Sequence, residues 1–334
     1  MTDNNPEALV NVEGVRMHFA VGNSLAAAIR GKSTIVRAID GVSVRLKQGE
    51  SVGLLGESGC GKSTMGRLLL RILEPTDGRI IFRGTDVTHL KGQPLKAFRQ
   101  EAQLIPQNPY EALNPRFSIG KSLHEPLENF RPRSTHEQLI DKVLKLVKLD
   151  GQRSLLDRYP HEVSGGQLQR IVMARALVLE PSFVVADEPV SMLDVSVRAG
   201  VLNVFRDVRK RLGLTAIYIS HDLALVRYVC ERTLVMYLGR IVEDGPTEEI
   251  VREPLHPYTK ALVAAVPEPH PDQSRAPLPI KPGSPDARRQ PTGCRFRDRC
   301  PDSFDQCIKS APRPVVVGNR TVECHLFSAV SPEA

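Results

Sequence analysis

Five short runs of apolar, β-prone residues punctuate the first 240 positions: Ser51–Leu55, Arg79–Phe82, Phe183–Ala186, Ala216–Ile219 and Thr233–Tyr237. Each is too short for a helix and shows no polar alternation, as expected of strands covered on both faces. Helical periodicity lies between several of them. Met65, Leu68, Leu69 and Ile72 fall at i, i+3, i+4 and i+7, one face of a helix. Ser134-Thr135-His136-Glu137 has the form of a capping box, and Leu139, Ile140, Val143, Leu144 and Val147 continue that helix. Strands separated by helices predict an α/β layered fold over residues 1 to about 265. From about 90 to 165 the pattern is helix and loop, a helical insertion. A proline-dense stretch from Pro267 to Pro291 follows and reads as an extended linker.

Composition narrows the picture. The chain has 334 residues, 41% hydrophobic, enough for one large domain with an appendage. No apolar run of 18 or more residues occurs, so no membrane span is expected. The start, Met1 to Val10, is acidic and polar rather than a secretory signal, which predicts the cytoplasm. The net charge of +7 is spread along the chain, with local clusters at Arg206–Arg211 and Arg288–Arg289, and gives nucleic acid little support as a partner.

The strongest chemical signal is Gly56-Glu57-Ser58-Gly59-Cys60-Gly61-Lys62-Ser63, followed by Thr64. It matches the phosphate-loop pattern, with an apolar strand before it and an amphipathic helix after it. Phosphate oxygens need many donors at short range. Glycines at 56, 59 and 61 are expected to take positive φ and turn consecutive N–H groups inward. The helix beginning near Lys62 adds its positive end. Lys62 is expected on the β and γ phosphates and Ser63 on Mg²⁺. Downstream, Phe183–Ala186 leads into Asp187 and Glu188. Adjacent acids at a strand end suit a cation and a catalytic base: Asp187 holds Mg²⁺ through its water shell and Glu188 orients and deprotonates the attacking water. His221 closes another apolar run and is placed to sense the γ-phosphate.

With these in hand, Ser164-Gly165-Gly166-Gln167 and the Leu-Gln-Arg-Ile-Val-Met-Ala-Arg-Ala-Leu that follows resemble the signature of the ABC ATPases. The order fits: phosphate loop, Gln107, signature, Asp187-Glu188, Ser191-Met-Leu-Asp194, His221. The resemblance implies a P-loop cassette, a mixed-sheet core with a helical subdomain at about 108–180, inside a domain at 10–265. Gln107 then stands in the Q-loop, Asp194 in the D-loop, His221 as switch histidine, and Phe19 where an aromatic stacks on adenine. The signature also has a direct reading. Ser164 and two glycines open a helix with Leu168, Ile171 and Val172 inward, and its tip offers a hydroxyl, amides and a dipole to an anion. The phosphate loop already has its own helix, so this second tip is expected to serve a nucleotide held by another chain. Val163, Leu168, Val190 and Met192 depart from the usual family residues, and none of them is a hydrolytic group.

Pro254–Leu262, Ala264–Pro267 and Asn108–Arg116 resemble the oligopeptide/dipeptide importer group. That resemblance implies ATP and Mg²⁺ as cofactors, two membrane-spanning permease subunits, a sister ATPase (a second copy or a different chain), an extracytoplasmic solute-binding protein, and a location on the cytoplasmic face of the cell membrane. Nickel, glutathione and oligosaccharides are cargoes of the same group. A soluble ABC ATPase acting on nucleic acid or ribosomes is the competing class, and generally carries two cassettes or a coiled-coil insertion. A nucleotide-binding but inactive partner is the third, and Glu188 and His221 argue against it.

After a linker at 266–292, the tail at 293–327 is a small cysteine-rich extension. Cys60 and Cys230 stand alone, whereas Cys294, Cys300, Cys307 and Cys324 are separated by five, six and sixteen residues. In a reducing compartment such a cluster suggests metal before disulfides. The spacing lacks the short pairs that zinc favours. An iron–sulfur cluster, zinc and free thiols stay open on the residues, and the family resemblance favours 4Fe–4S. Arg295, Arg297 and Arg299 would offset thiolate charge.

Overall fold

The computed structural model describes residues 8–21, 34–266, 278–283, 286 and 291–328. Most of the expected linker therefore lies outside the described residues. Twelve strands form two sheets among them: β1 (Ala8–Val21), β2 (Thr34–Lys47), β3 (Ser51–Leu55), β4 (Asp77–Phe82), β5 (Thr85–Asp86), β6 (Ala102–Ile105), β7 (Phe183–Asp187), β8 (Thr215–Ser220), β9 (Arg232–Tyr237), β10 (Arg240–Pro246), β11 (Val315–Val317) and β12 (Arg320–Val322).

The core sheet runs β11-β12-β10-β9-β3-β8-β7-β6. Strands β9, β3, β8, β7 and β6 are mutually parallel, while β10, β12 and β11 add on antiparallel. Strands β3 and β8 are buried at every position, which is why both read as unbroken apolar runs. The second sheet, β2-β1-β4-β5, is antiparallel. The run at Arg79–Phe82, expected in the parallel core, belongs here. One face of β4 is wet, and only Ile80 and Phe82 are buried.

Two apolar layers clamp the core sheet. One joins it to the antiparallel sheet through Val12, Ile39, Leu46 and the helix Lys62–Leu69. The other joins it to the helices Ile119–Glu128, His136–Leu146 and Gly165–Leu177. Met65, Leu68 and Leu69 are buried as their spacing requires, but Ile72 is 48% exposed. The helix ends before it, and Arg71 turns left-handed at φ 52°. The expected capping box at Ser134–Glu137 does not form. Thr135 stands at the helix N-cap without a side-chain cap, and its hydroxyl donates instead to the Pro132 carbonyl. The region from 90 to 165 also contains a strand, β6, whose four residues are too few to show a period.

The tail is not a separate body. Strand β12 pairs with β10, Glu243 opposite Val322 and Asp244 opposite Thr321, so residues near 320 extend the core sheet. A third apolar layer of Tyr237, Ile250, Tyr258, Phe296 and three cysteines packs beneath. Among the described residues no helix is long and apolar enough to cross a membrane.

Candidate functional site

Four neighbouring parallel strands, β3, β8, β7 and β6, release their chains at the same edge. The phosphate loop follows β3, His221 follows β8, Glu188 follows β7 and Gln107 follows β6. Strands lie roughly 4.8 Å apart, so residues distant in sequence become neighbours at this edge. A cavity of about 650 Å³ is lined there by residues 56–64, Gln107, Glu188 and His221. Val36, Arg37, Ala38, Leu238, Gly239 and Leu262 complete its wall. Nothing in the sequence marked the first five of these, because no motif spans β2 and the β9–β10 turn.

The loop's glycines serve two different needs. Gly59 and Gly61 are left-handed, φ 78° and 111°, as expected. Gly56 is not. It is glycine because a Cβ there would stand 2.3 Å from the Met236 carbonyl oxygen and 2.7 Å from Cys60 Sγ. Lys62 Nζ donates to the carbonyls of Gly56 and Glu57 at 2.7 and 3.0 Å. Gly61 caps the following helix without a side chain, so the helix's first amides stay available to an anion. Burial pushes the Cys60 thiol up, which keeps it neutral inside the loop.

Ser63 Oγ lies 3.2 Å from Asp187 Oδ1. Burial raises the Asp187 carboxyl and the Ser63 hydrogen bond opposes it; neighbouring Glu188 adds a smaller upward push. Glu188 sits at φ 44°, a left-handed conformation that costs a non-glycine residue about 1–3 kcal/mol. It is over-determined: its N–H donates to the Ile219 carbonyl, Gln107 Nε2 donates to Oε2 at 2.8 Å, and His221 Nδ1 is 2.9 Å from Oε1. Its side chain is 17% exposed and that of His221 62%.

Other expected residues stand apart. Ser164, Gly165, Gly166 and Gln167 open the helix Gly165–Leu177 away from the cavity, with Leu168, Ile171 and Val172 buried as expected. Ser164 and Gln167 cap each other: the Ser164 N–H donates to Gln167 Oε1 at 3.2 Å and Ser164 Oγ accepts the Gln167 N–H at 3.4 Å. This S-x-x-Q arrangement is a capping box. Asp194 is exposed at the N-cap of the helix Val195–Leu212, also outside the cavity. Phe19 does not line the cavity, but its cross-strand partner Val36 does. Directly paired residues share a sheet face, which puts the Phe19 ring beside the wall.

The four tail cysteines are buried and unbridged. Burial is the largest influence on Cys294 and Cys324, pushing them up to about 12 and about 11, and neighbouring thiols add to it. Among the described residues no group of three or more His, Cys, Asp or Glu side chains is set to hold a metal ion. The arrangement therefore does not support the iron–sulfur expectation. Cys294, Cys300 and Cys307 pack as small apolar groups against Phe296 and its neighbours.

Similarity to known proteins extends over most of the chain. A family model described as ABC transporter matches residues 39–191, and one described as oligopeptide/dipeptide transporter, C-terminal region, matches 242–307. A probable peptide ABC transporter ATP-binding protein of Sinorhizobium fredii, y4tS, is 42% identical, over 96% of this chain and 90% of its own length. The oligopeptide transport ATP-binding protein OppF of Salmonella typhimurium is 41% identical over 94% of each chain. Among solved structures, cbiO1 of Clostridium perfringens, part of the ABC transporter complex cbiONQ, superposes with a TM-score of 0.64 at 26% identity, over 74% of this chain and 92% of that one.

Proposed function

Since the chain belongs to the ATP-binding subunits of the ABC transporters, within the oligopeptide/dipeptide group, we propose that it is the ATP-hydrolysing motor of a peptide importer. The observation that carries the catalytic part is the clasp on Glu188: two side chains from two other strand ends fix one carboxylate at the rim of the phosphate loop.

The amides of Gly59 to Thr64 and the Lys62 ammonium would bind the β and γ phosphates of ATP. In this reading Ser63, Asp187 and Gln107 hold Mg²⁺. Ser63 and Asp187 already present adjacent oxygens, and Gln107 spends its amide nitrogen on Glu188, leaving its oxygen for a cation. One carboxylate among three protein ligands suits a cation that completes its shell with water and substrate phosphate. Bound there, Mg²⁺ supplies neutralisation of charge developing on the phosphates. Glu188 orients a water in line with the γ-phosphate and takes its proton. His221 holds Glu188 in that pose and stays exposed enough to reach the γ-phosphate.

Ser164 to Gln167 and Asp194 would complete the nucleotide of a second cassette, a copy or a sister chain, since Ser164 and Asp194 are exposed and none of the five lines the chain's own nucleotide cavity. Phe19 would stack on adenine. Permease subunits would carry the cargo path, because no described helix can cross a membrane. Closure and opening of the two cassettes would drive them, with an extracytoplasmic binding protein delivering cargo from outside. The tail enters this reading as a structural brace, not as a metal centre.

The decisive experiment replaces Glu188 with Gln in the assembled transporter. ATP binding persists and turnover falls. Rapid hydrolysis by that variant would remove Glu188 from its role.

A further inference from the structure

Two side chains of the C-terminal part reach the phosphate loop from behind the cavity. Arg299, between Cys294 and Cys307, donates from Nη1 to Glu57 Oε2 at 2.9 Å and from Nη2 to Oε1 at 3.0 Å. This is the two-pronged pairing that a guanidinium makes with a carboxylate, strong and strict in geometry. Arg299 is only 8% exposed, and its guanidinium lies 5.8 Å from the Phe296 ring and 5.9 Å from that of Tyr237. Tyr258, on the helix Pro257–Ala264, is 1% exposed, and its hydroxyl accepts the backbone N–H of Glu57 at 2.8 Å. The Tyr258 and Tyr237 rings pack at 4.6 Å, so both arms share one aromatic footing.

Glu57 is the second residue of the loop, and its carbonyl accepts from Lys62 Nζ. Its amide is held by Tyr258 and its carboxylate by Arg299, 201 and 242 residues away. Hydrolysis gives that carboxylate no task. A second arginine of the same turn, Arg295, bonds Asp40 and the carbonyl of Leu238, which lines the cavity. The tail thus braces both the loop and the wall opposite.

We propose that Arg299 and Tyr258 are positioning residues for ATP: they set the phosphate loop in its binding conformation through Glu57, and so let the cysteine-rich tail tune nucleotide affinity. The inference rests on the nucleotide site proposed above and deepens it. The physical reason is pre-organisation. A phosphate cradle works only when its amides converge, and apparent affinity falls with the fraction of molecules holding that shape. The pair touches neither the attacking water nor its base, so its loss moves affinity rather than the chemical step.

The test compares Arg299→Gln, Glu57→Gln and the double variant in the assembled transporter, reading kcat and KM for ATP with Mg²⁺ present, alongside Tyr258→Phe and the exposed tail control Arg313→Gln. KM rises about tenfold in each single variant, the loss of one two-pronged ion pair, while kcat stays within about twofold. The double variant is no worse than either single one, because one interaction has been removed once. Tyr258→Phe gives a smaller rise, Arg299→Lys falls between wild type and Arg299→Gln, and the control leaves KM unchanged. Should Arg299→Gln fail to fold, Glu57→Gln removes the same pair without touching the tail. Unchanged KM in Glu57→Gln, a loss confined to kcat, or multiplicative effects in the double variant each overturn the proposal. Lys62→Ala separates the two levels: if it abolishes ATP binding while Glu57→Gln is normal, only the inference fails; if it binds ATP as wild type does, the site reading fails too.

Discussion

The helix that starts at Lys62 and the helix that starts at Gly165 both open on glycine and both carry uncommitted amides, yet only the first meets a cavity. The Lys62 tip sits at the sheet edge among residues from four strand ends. The Gly165 tip caps itself through Ser164 and Gln167, packs close to Leu193 and Val197, and lies outside that cavity. Similar local chemistry thus has two fates, set by what the sheet places in front of it. In the function proposed above, one half of a nucleotide seat is built within the chain, and the other half would serve a second cassette.

Four changes break or sharpen that contrast. The largest effect belongs to the inner half: Glu188→Gln lowers kcat for ATP hydrolysis by about 10³-fold with ATP binding retained, measured on the assembled transporter. Next is the outer half. Ser164→Arg leaves the isolated chain's ATP affinity unchanged, since Ser164 lies outside its own cavity, but lowers turnover of the assembly by about 10²-fold. The same variant loses a helix cap worth about 1 kcal/mol, readable by urea denaturation. Equal ATP affinity and equal turnover would dissolve the distinction between the halves. Third, Gly56→Ala destabilises the chain by about 2 kcal/mol and weakens ATP binding, because the added methyl meets the Met236 carbonyl.

The smallest effect tests the brace beneath the loop. His256 is fully buried, accepts the Tyr258 N–H on Nδ1, and burial pushes it down to about 3, well below the ordinary value of 6.5. A base whose folded value is depressed binds its proton more readily when unfolded. Its contribution to stability is therefore complete above about pH 6.5 and is lost progressively as pH falls toward 3. His256→Asn keeps an acceptor at the helix start but cannot titrate, so the thermal midpoint of that variant declines less across this window.

How much of this could be read beforehand depends on range. The phosphate loop, Asp187, Glu188, His221 and the serine-led helix were legible because each is a short string whose chemistry needs those residues in that order. Strands β3, β7, β8 and β9 were legible because burial of nearly every position leaves no apolar–polar alternation in the run. The long strands β1 and β2 were not: β1 shifts register repeatedly against β2 and carries mixed burial, which blurs a period of two. The joining of the tail to β10, and the brace of Tyr258 and Arg299 on Glu57, had no local trace, since their partners lie tens to hundreds of residues away.

The sequence by itself determined which groups this chain has for binding phosphate and cleaving it, because a loop that wraps an anion is specified within eight residues by glycine, lysine and serine. Only the tertiary structure decided which of those groups share a cavity, which lie outside it, and that three of the four tail cysteines pack against an aromatic footing. Strand order and burial are properties of the whole sheet, and no stretch of chain contains them alone.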